Sequence, residues 1–316
     1  MNVLDRAAPV IPVGLGLAAI GRPAYINLGR DDDLGKDRSR RGLERRAYAV
    51  LDAAWAAGVR YFDAARSYGL AEEFLASWLV TREHPTDALV VGSKWGYTYT
   101  GQWRMSEPVQ ERKDLSAATF RRQLAETREL LGDQLALYQI HSATIDSGVF
   151  DDDELLAELS ELRGSGVAIG VTVTGVGQAE SIDRALELGI FDTVQATWNL
   201  LERSAAPALQ RARDAGLGVI VKEALANGRL TSHGAEAALL AYAKARDVAP
   251  DAVAVAAAIA QPWSDIVLSG AVSAEMLASN LRAVELVDDD QSVGALSQLR
   301  LDPHEYWQRR SELPWQ

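Results

Sequence analysis

Apolar positions along the chain fall into two alternating patterns. Short continuous apolar runs are separated by longer stretches in which apolar residues recur every three or four positions. The short runs are Ile11–Leu15, Tyr61–Asp63, Ala88–Ser93, Leu137–His141, Ala168–Thr172, Thr193–Thr197, Gly218–Lys222 and Asp265–Ser269. Runs this short and this apolar predict strands buried on both faces. The periodic stretches predict helices at Glu44–Ala57, Ala71–Leu79, Ala117–Leu131, Asp152–Leu162, Ala179–Leu188, Ala205–Ala215 and Ala274–Val287. Ser116, Ser204 and Ser273 stand where helix N-caps belong, and Gly58, Gly132, Gly189 and Gly216 where helices should stop. Between Glu236 and Ala260 the pattern predicts two helices parted at Ala249–Pro250, since proline disfavours helix in the residue before it.

Strand–helix alternation repeated eight times implies parallel strands with right-handed crossovers, and eight units suggest closure. The expected fold is an α/β protein, a (β/α)8 TIM barrel forming a single domain over residues 1–316, with a charged loop insertion at about 22–45. An open doubly wound sheet is the competing architecture. Gly14-Leu15-Gly16 is followed by Leu17, Ala18 and Ala19, so the third glycine of a dinucleotide-binding turn is missing. The charge run from Arg30 to Arg46 reads as a solvated loop on the rim that follows the first strand. A second long loop, Gly96–Lys113, follows the third strand. Its Tyr97, Tyr99 and Trp103 are candidates to wall a pocket.

Composition narrows the function classes. The net charge of −12 argues against nucleic acid or an anionic membrane surface as a partner. With no cysteine, disulfides, thiolate zinc sites and cysteine nucleophiles are excluded. The four histidines, at 84, 141, 233 and 304, show no metal-ligand spacing, so no metal is expected. Met1–Pro12 lacks the apolar run of a signal peptide and no stretch is long enough to span a bilayer, so a cytoplasmic location is expected.

Chemistry concentrates at the ends of the second, third and fourth strands. Asp63 ends the second, Lys94 follows the third and His141 ends the fourth, while Tyr68 lies five residues beyond Asp63. In a parallel barrel these ends share the face on which barrel enzymes build their sites. Each residue alone has an ordinary structural explanation; their conjunction points to a site. A buried lysine needs a counter-charge, which Asp63 supplies. Lys94 is expected to lower the Tyr68 pKa from its usual value of about 10. Tyr68 and His141 would then polarise and protonate a carbonyl oxygen. No residue of this set is a source of electrons, so a cofactor is implied.

The run Gly58-Val59-Arg60-Tyr61-Phe62-Asp63-Ala64-Ala65-Arg66-Ser67-Tyr68-Gly69, with Ser93-Lys94 and Gln139-Ile140-His141, resembles the aldo-keto reductase family. The resemblance continues through Gly170-Val171-Thr172, Gln195 to Leu201 and Ser269-Gly270-Ala271 to Asn280. It implies a barrel and a nicotinamide cofactor, NADPH by family habit with NADH as the alternative. It also implies a catalytic tetrad of Asp63, Tyr68, Lys94 and His141. The cofactor positions it implies are Thr172, Gln195, Lys222, Leu225, Ser269, Gly270 and Asn280. Val173 stands where the family commonly has asparagine, and Lys222 where it often stacks an aromatic ring on the nicotinamide. Val272 and Met276 stand where NADPH-preferring members often carry a basic residue.

The activity this implies is interconversion of a small-molecule carbonyl and alcohol, with Tyr99, Trp103 and Trp198 in the substrate pocket. Two other readings remain open: a non-catalytic nucleotide-binding regulatory barrel, and an isomerase or lyase using Lys94 as a Schiff-base amine. The sequence leaves the substrate and the oligomeric state undetermined.

Overall fold

The computed structural model describes residues 2–6, 11–287 and 291–316, without the Gln291 side chain. Part of the Met1–Pro12 stretch therefore lies outside the described residues. Eight parallel strands close into a barrel: β1 Val13–Gly16, β2 Tyr61–Asp63, β3 Val90–Trp95, β4 Leu135–Ala143, β5 Ala168–Val173, β6 Thr193–Thr197, β7 Gly218–Lys222 and β8 Ile266–Ser269. Each strand pairs with its neighbours in sequence, and β1 closes on β8 through Val13↔Val267, Gly14↔Leu268 and Leu15↔Ser269. Every strand expected from the sequence is present, displaced at its ends by at most two residues.

Alternation along each strand decides what faces the axis. Tyr61, Val90, Leu137, Ala168, Ile220 and Ile266 pack together with Val3 and Leu4 as the lower barrel core. The N-terminal turn Val3–Asp5 thus plugs the bottom of the barrel. Counting by twos from those positions brings Asp63, Lys94, His141, Thr172 and Lys222 to the opposite end. The alternate residues face the helices: Phe62 meets Trp78 at 5.4 Å between ring centroids, and Trp95 meets Phe120 at 5.1 Å.

Helices cover the barrel largely as the periodicity requires. Ser116 and Ser273 cap Ala117–Leu131 and Ala274–Leu281 by accepting from Thr119 N and Met276 N. Ser204 does not cap its helix. Its amide and hydroxyl both bond Glu202, and Ala206–Asp214 starts instead with proline in its first turn. The C-terminal part of the predicted Ala274–Val287 helix tightens to a 3-10 turn at Arg282–Glu285.

Two loops differ from expectation. The charge run Arg30–Arg46 is not one solvated loop. Arg40–Ala56 is helical, capped by Ser39, and Arg30–Leu34 forms a short helix of its own. Arg30 is buried, donating to the carbonyls of Ala19, Arg22 and Gln316. The Gly96–Lys113 loop contains an antiparallel hairpin, Tyr97–Tyr99 with Glu111–Lys113, whose aromatic Tyr-Thr-Tyr arm favours strand. No described helix is long and apolar enough to cross a membrane.

The last helix, Pro303–Ser311, is pinned to the barrel by a half-buried ion pair. Arg310 Nε lies 3.0 Å from both carboxylate oxygens of Glu223, just beyond β7. Burial alone would raise the Glu223 pKa, but Arg310 and Lys222 hold it down to about 2. In the unfolded chain this carboxylate titrates near 4.5. Its contribution is therefore complete above about pH 4.5 and is lost as pH falls toward 2. The contribution at neutral pH is on the order of 3 kcal/mol. Glu223→Gln should lower unfolding free energy at pH 7 by about that amount. The gap to the wild type should narrow below pH 4, as measured by urea denaturation across pH.

The barrel interior also carries a steric test. A Cβ on Gly92 would sit 2.5 Å from the Tyr61 hydroxyl, and one on Gly14 would sit 2.7 Å from the same ring. Gly92→Ala should cost about 1–3 kcal/mol by overpacking. Combining it with Tyr61→Phe should recover part of the loss in the same denaturation assay.

Candidate active site

The C-terminal mouth of the barrel opens into a cavity of about 610 Å³, within the usual range for a small-molecule site. Its centre is the end of β2. Beyond Asp63 the chain continues to pair with β3, Ala64 N bonding Gly92 O and Arg66 N bonding Lys94 O. It then turns at Gly69, whose φ is +65° and whose Cβ would lie 2.4 Å from Gly21 O. That turn delivers Tyr68 to the cavity.

Lys94 is buried and ion-paired with Asp63, and its ammonium also donates to Ala64 O at 2.9 Å. Asp63 Oδ1 receives Tyr61 Oη at 3.0 Å, Gln195 Nε2 at 3.2 Å and Gln139 Nε2 at 3.3 Å. Both oxygens of this carboxylate are thus hydrogen-bonded, Oδ2 by Lys94 and Oδ1 by three neutral donors, as a buried charge requires. Ser93 points the other way, into the helix layer, where it donates to Glu72. The Lys94 ammonium lies 4.9 Å from the Tyr68 ring centroid.

Tyr68 Oη lies 3.4 Å from His141 Nε2, with the rings edge to face. Burial pushes the Tyr68 phenol well above its usual range, and the Asp63 charge adds to the effect while Arg22 opposes it. This corrects the sequence expectation that Lys94 lowers it. The ammonium is spent on Asp63, and the desolvation of the phenolate outweighs what remains. Burial, then Lys94 and Lys222, hold the His141 imidazole well below its usual pKa. At neutral pH the pair is therefore a neutral phenol beside a neutral imidazole. Both can donate a hydrogen bond to one oxygen atom in the cavity.

Of the other expected residues, Gln195, Lys222, Leu225, Ser269, Gly270 and Asn280 line the cavity. Ser269 Oγ donates to Asn280 Oδ1 at 2.7 Å, and Asn280 Nδ2 donates to Asp251 Oδ2 at 2.7 Å. Thr172 is buried beside the cavity; its hydroxyl accepts from Ser142 N at 2.7 Å, holding Ser142 at a φ of +57° at the end of β4. The substrate-pocket residues are placed differently. Trp198 is 1% exposed and packs on Trp263, away from the cavity, because its strand end directs it into the core. Tyr99 and Trp103 also lie off the cavity wall. They bond each other, and Trp103 Nε1 donates to Arg38 O, fastening the hairpin to the charged segment. Tyr97 takes the wall position instead, 4.8 Å from the His141 ring.

Several wall residues carry no signal in the sequence. Arg22 is buried among the Tyr25, Tyr68 and Trp315 rings and donates to Glu111 at 2.6 Å and Ser67 O at 3.0 Å. Tyr25 and Gln316 exchange two backbone bonds of 2.9 Å, drawing Trp315 over the cavity. Arg310 reaches it from 87 residues beyond Glu223. None of these contacts is local, so no motif could mark them.

The residues fit a dinucleotide. The cavity extends from Tyr68 and His141 to Asn280 and Met276, and three buried atoms of its lining residues, Arg22 Nε, His141 Nδ1 and Asn227 Oδ1, have no hydrogen-bond partner among the described residues.

Comparison with known proteins agrees with this architecture. A D-threo-aldose 1-dehydrogenase of Pseudomonas is 29% identical over 209 residues, 58% of this chain and 61% of the relative. The uncharacterised oxidoreductase YrpG of Bacillus subtilis is 28% identical over 226 residues, 65% of this chain and 62% of the relative. The matches thus span about three fifths of the length of these curated relatives. Two solved structures share the fold. A holo-form aldo-keto reductase of Bacillus halodurans superposes with a TM-score of 0.70 at 20% identity, covering 93% of this chain and 94% of that one. A glycerol dehydrogenase of Gluconobacter oxydans gives 0.69 at 22% identity, covering 91% and 90%. The model of the aldo/keto reductase family matches residues 34–300, and the chain belongs to that family.

Proposed function

We propose that this chain interconverts a carbonyl and an alcohol, with Tyr68 delivering or receiving the proton and a nicotinamide dinucleotide as the redox partner. The observation that carries this reading is the pairing of Tyr68 Oη with His141 Nε2 at 3.4 Å on a cavity wall, backed by the buried Lys94–Asp63 pair. When bound, the cofactor supplies or accepts the hydride. The chain's own part is to hold the substrate oxygen between the phenol and the imidazole. His141 donates to that oxygen and orients it, and Tyr68 passes the proton as charge develops there. The part of the Lys94 charge that Asp63 leaves uncompensated, 4.9 Å from the phenol ring, offsets some of the cost of the phenolate left when the proton has gone. Asp63 keeps that ammonium charged and in place.

Gln195, Ser269, Gly270, Leu225, Lys222 and Asn280 would hold the dinucleotide along the cavity, with Thr172 behind them. NADPH is the family's habitual cofactor. NADH is the second reading, favoured by a specific observation: Met276 and the Asp251 carboxylate line the end near Asn280. A 2′-phosphate prefers arginine or lysine to a carboxylate. The D-threo-aldose 1-dehydrogenase relative supports an aldose-type substrate, and the net charge of −12 supports a partner that is neither nucleic acid nor an anionic membrane. Lys94 as a Schiff-base amine is disfavoured, because its nitrogen already serves Asp63 and Ala64 O.

Tyr68→Phe should lower kcat by about 10²–10⁴ while leaving nucleotide binding within a few-fold of wild type. Turnover assays and quenching of tryptophan fluorescence by NADPH and NADH measure the two effects. Unchanged turnover in Tyr68→Phe would refute Tyr68 as the proton carrier. Loss of quenching by both nucleotides in the wild type would refute the dinucleotide site.

A further inference from the structure

Among the described residues, the lysines and arginines at the barrel mouth each meet a carboxylate, with one exception. Lys94 is matched by Asp63, Arg22 by Glu111 and Arg310 by Glu223. Lys222 also lines the cavity, yet among the described residues it has no carboxylate within ion-pair distance. Its ammonium donates to Thr197 Oγ1 at 2.9 Å. The nearest acid in sequence, Glu223, is committed to Arg310 through both oxygens. Lys113 is also without a carboxylate partner, but it is exposed and donates to Ser142 O. The cavity wall therefore holds one half-buried positive charge that no carboxylate meets at ion-pair distance among the described residues.

We propose that Lys222 makes this cavity bind the reduced nicotinamide ring more tightly than the oxidised ring. The inference rests on the dinucleotide reading above. The oxidised ring carries a positive charge and the reduced ring does not, while the rest of the dinucleotide is the same in both. A ring that exchanges hydride with a carbon held by Tyr68 and His141 must come within about 3–3.5 Å of that carbon. Lys222 faces the same mouth, and its charge is among those that depress the His141 imidazole. An ammonium on the wall of this partly dry cavity repels the oxidised form alone. At an effective dielectric of about 20 the preference is roughly ten- to a hundredfold. A tenfold preference moves the potential of the bound two-electron couple by about 30 mV, making it the stronger oxidant.

The preference has a pH signature. Burial pushes the Lys222 pKa down to about 8; Glu223 opposes this, Arg310 and Lys94 add to it, and Asp63 opposes it again. Glu223 stays ionised, being held near 2, and Arg310 is held above its usual value. Tyr68 is pushed up and His141 down, so neither changes charge between pH 7 and 9.5. Raising pH through this window neutralises Lys222.

The test is calorimetric titration of the protein with oxidised and reduced dinucleotide at pH 7 and 9.5, without substrate. We expect the ratio of the two dissociation constants, oxidised over reduced, to be at least tenfold at pH 7 and to fall several-fold at pH 9.5. In Lys222→Met it should be small and independent of pH. In Lys222→Arg it should stay large at both pH values. If both forms bind and the ratio responds neither to pH nor to Lys222→Met, the proposal is overturned. A Lys222→Met effect confined to the KM of an anionic substrate would overturn it in favour of a substrate anion at Lys222. Should the variants fail to fold, the wild-type pH series decides alone. Failure of either form to bind refutes the dinucleotide site itself, and this inference with it.

Discussion

A lysine ammonium in the dry end of a barrel is stable only if a carboxylate meets it, and the Lys94–Asp63 pair is the constraint around which this mouth is arranged. Asp63 must be fully hydrogen-bonded to remain charged. Tyr61, Gln139 and Gln195 each point a donor at it from a different strand. Those donors need space on the axis, and the space is made by glycine. Gly92 and Gly14 leave room for the Tyr61 ring, and Gly170 leaves room for the Thr193 hydroxyl, which would otherwise lie 2.2 Å from a Cβ. Packing, hydrogen bonding and charge at the barrel core thus form one problem with one solution.

The same pair explains the state of Tyr68 and His141. Lys94 is neutralised by Asp63 closely enough that burial governs the phenol, which stays protonated. The imidazole, buried and beside Lys94, Lys222, Arg22 and Lys113, stays neutral. Two neutral donors aimed at one point suit an oxygen that gains negative charge during reaction better than they suit a pre-formed anion. The mouth is then closed by ion pairs that join distant parts of the chain, Arg22 with Glu111 and Arg310 with Glu223. These tie the wall together and leave Lys222 with no carboxylate at ion-pair distance among the described residues.

The barrel and its polar centre were legible in the sequence because both follow from local rules. Strands buried on two faces are continuous apolar runs, and alternation along a strand carries Asp63, Lys94 and His141 to one end of the axis whatever the loops do. Helix ends were legible where serine or glycine acts on its immediate neighbours, as at Ser116 and Gly189. Ser204 failed because Glu202, two residues away, competed for its hydrogen bonds.

What the tertiary structure alone decided is the wall and the balance of charge. Tyr97, Tyr99, Trp103 and Trp198 are equally aromatic in the sequence, yet only Tyr97 faces the cavity, since pairing of Tyr97–Tyr99 with Glu111–Lys113 and the packing of Trp198 on Trp263 turn the others away. Arg30, read as one charge in a solvated run, is buried by three carbonyls, one of them at Gln316. The direction of the Tyr68 shift depended on how far Lys94 is neutralised and how dry the phenol is, and neither is a property of spacing. A sequence fixes which residue types stand at strand ends; solvent exclusion and long-range pairing set their charge states, and those exist only once the chain has closed on itself.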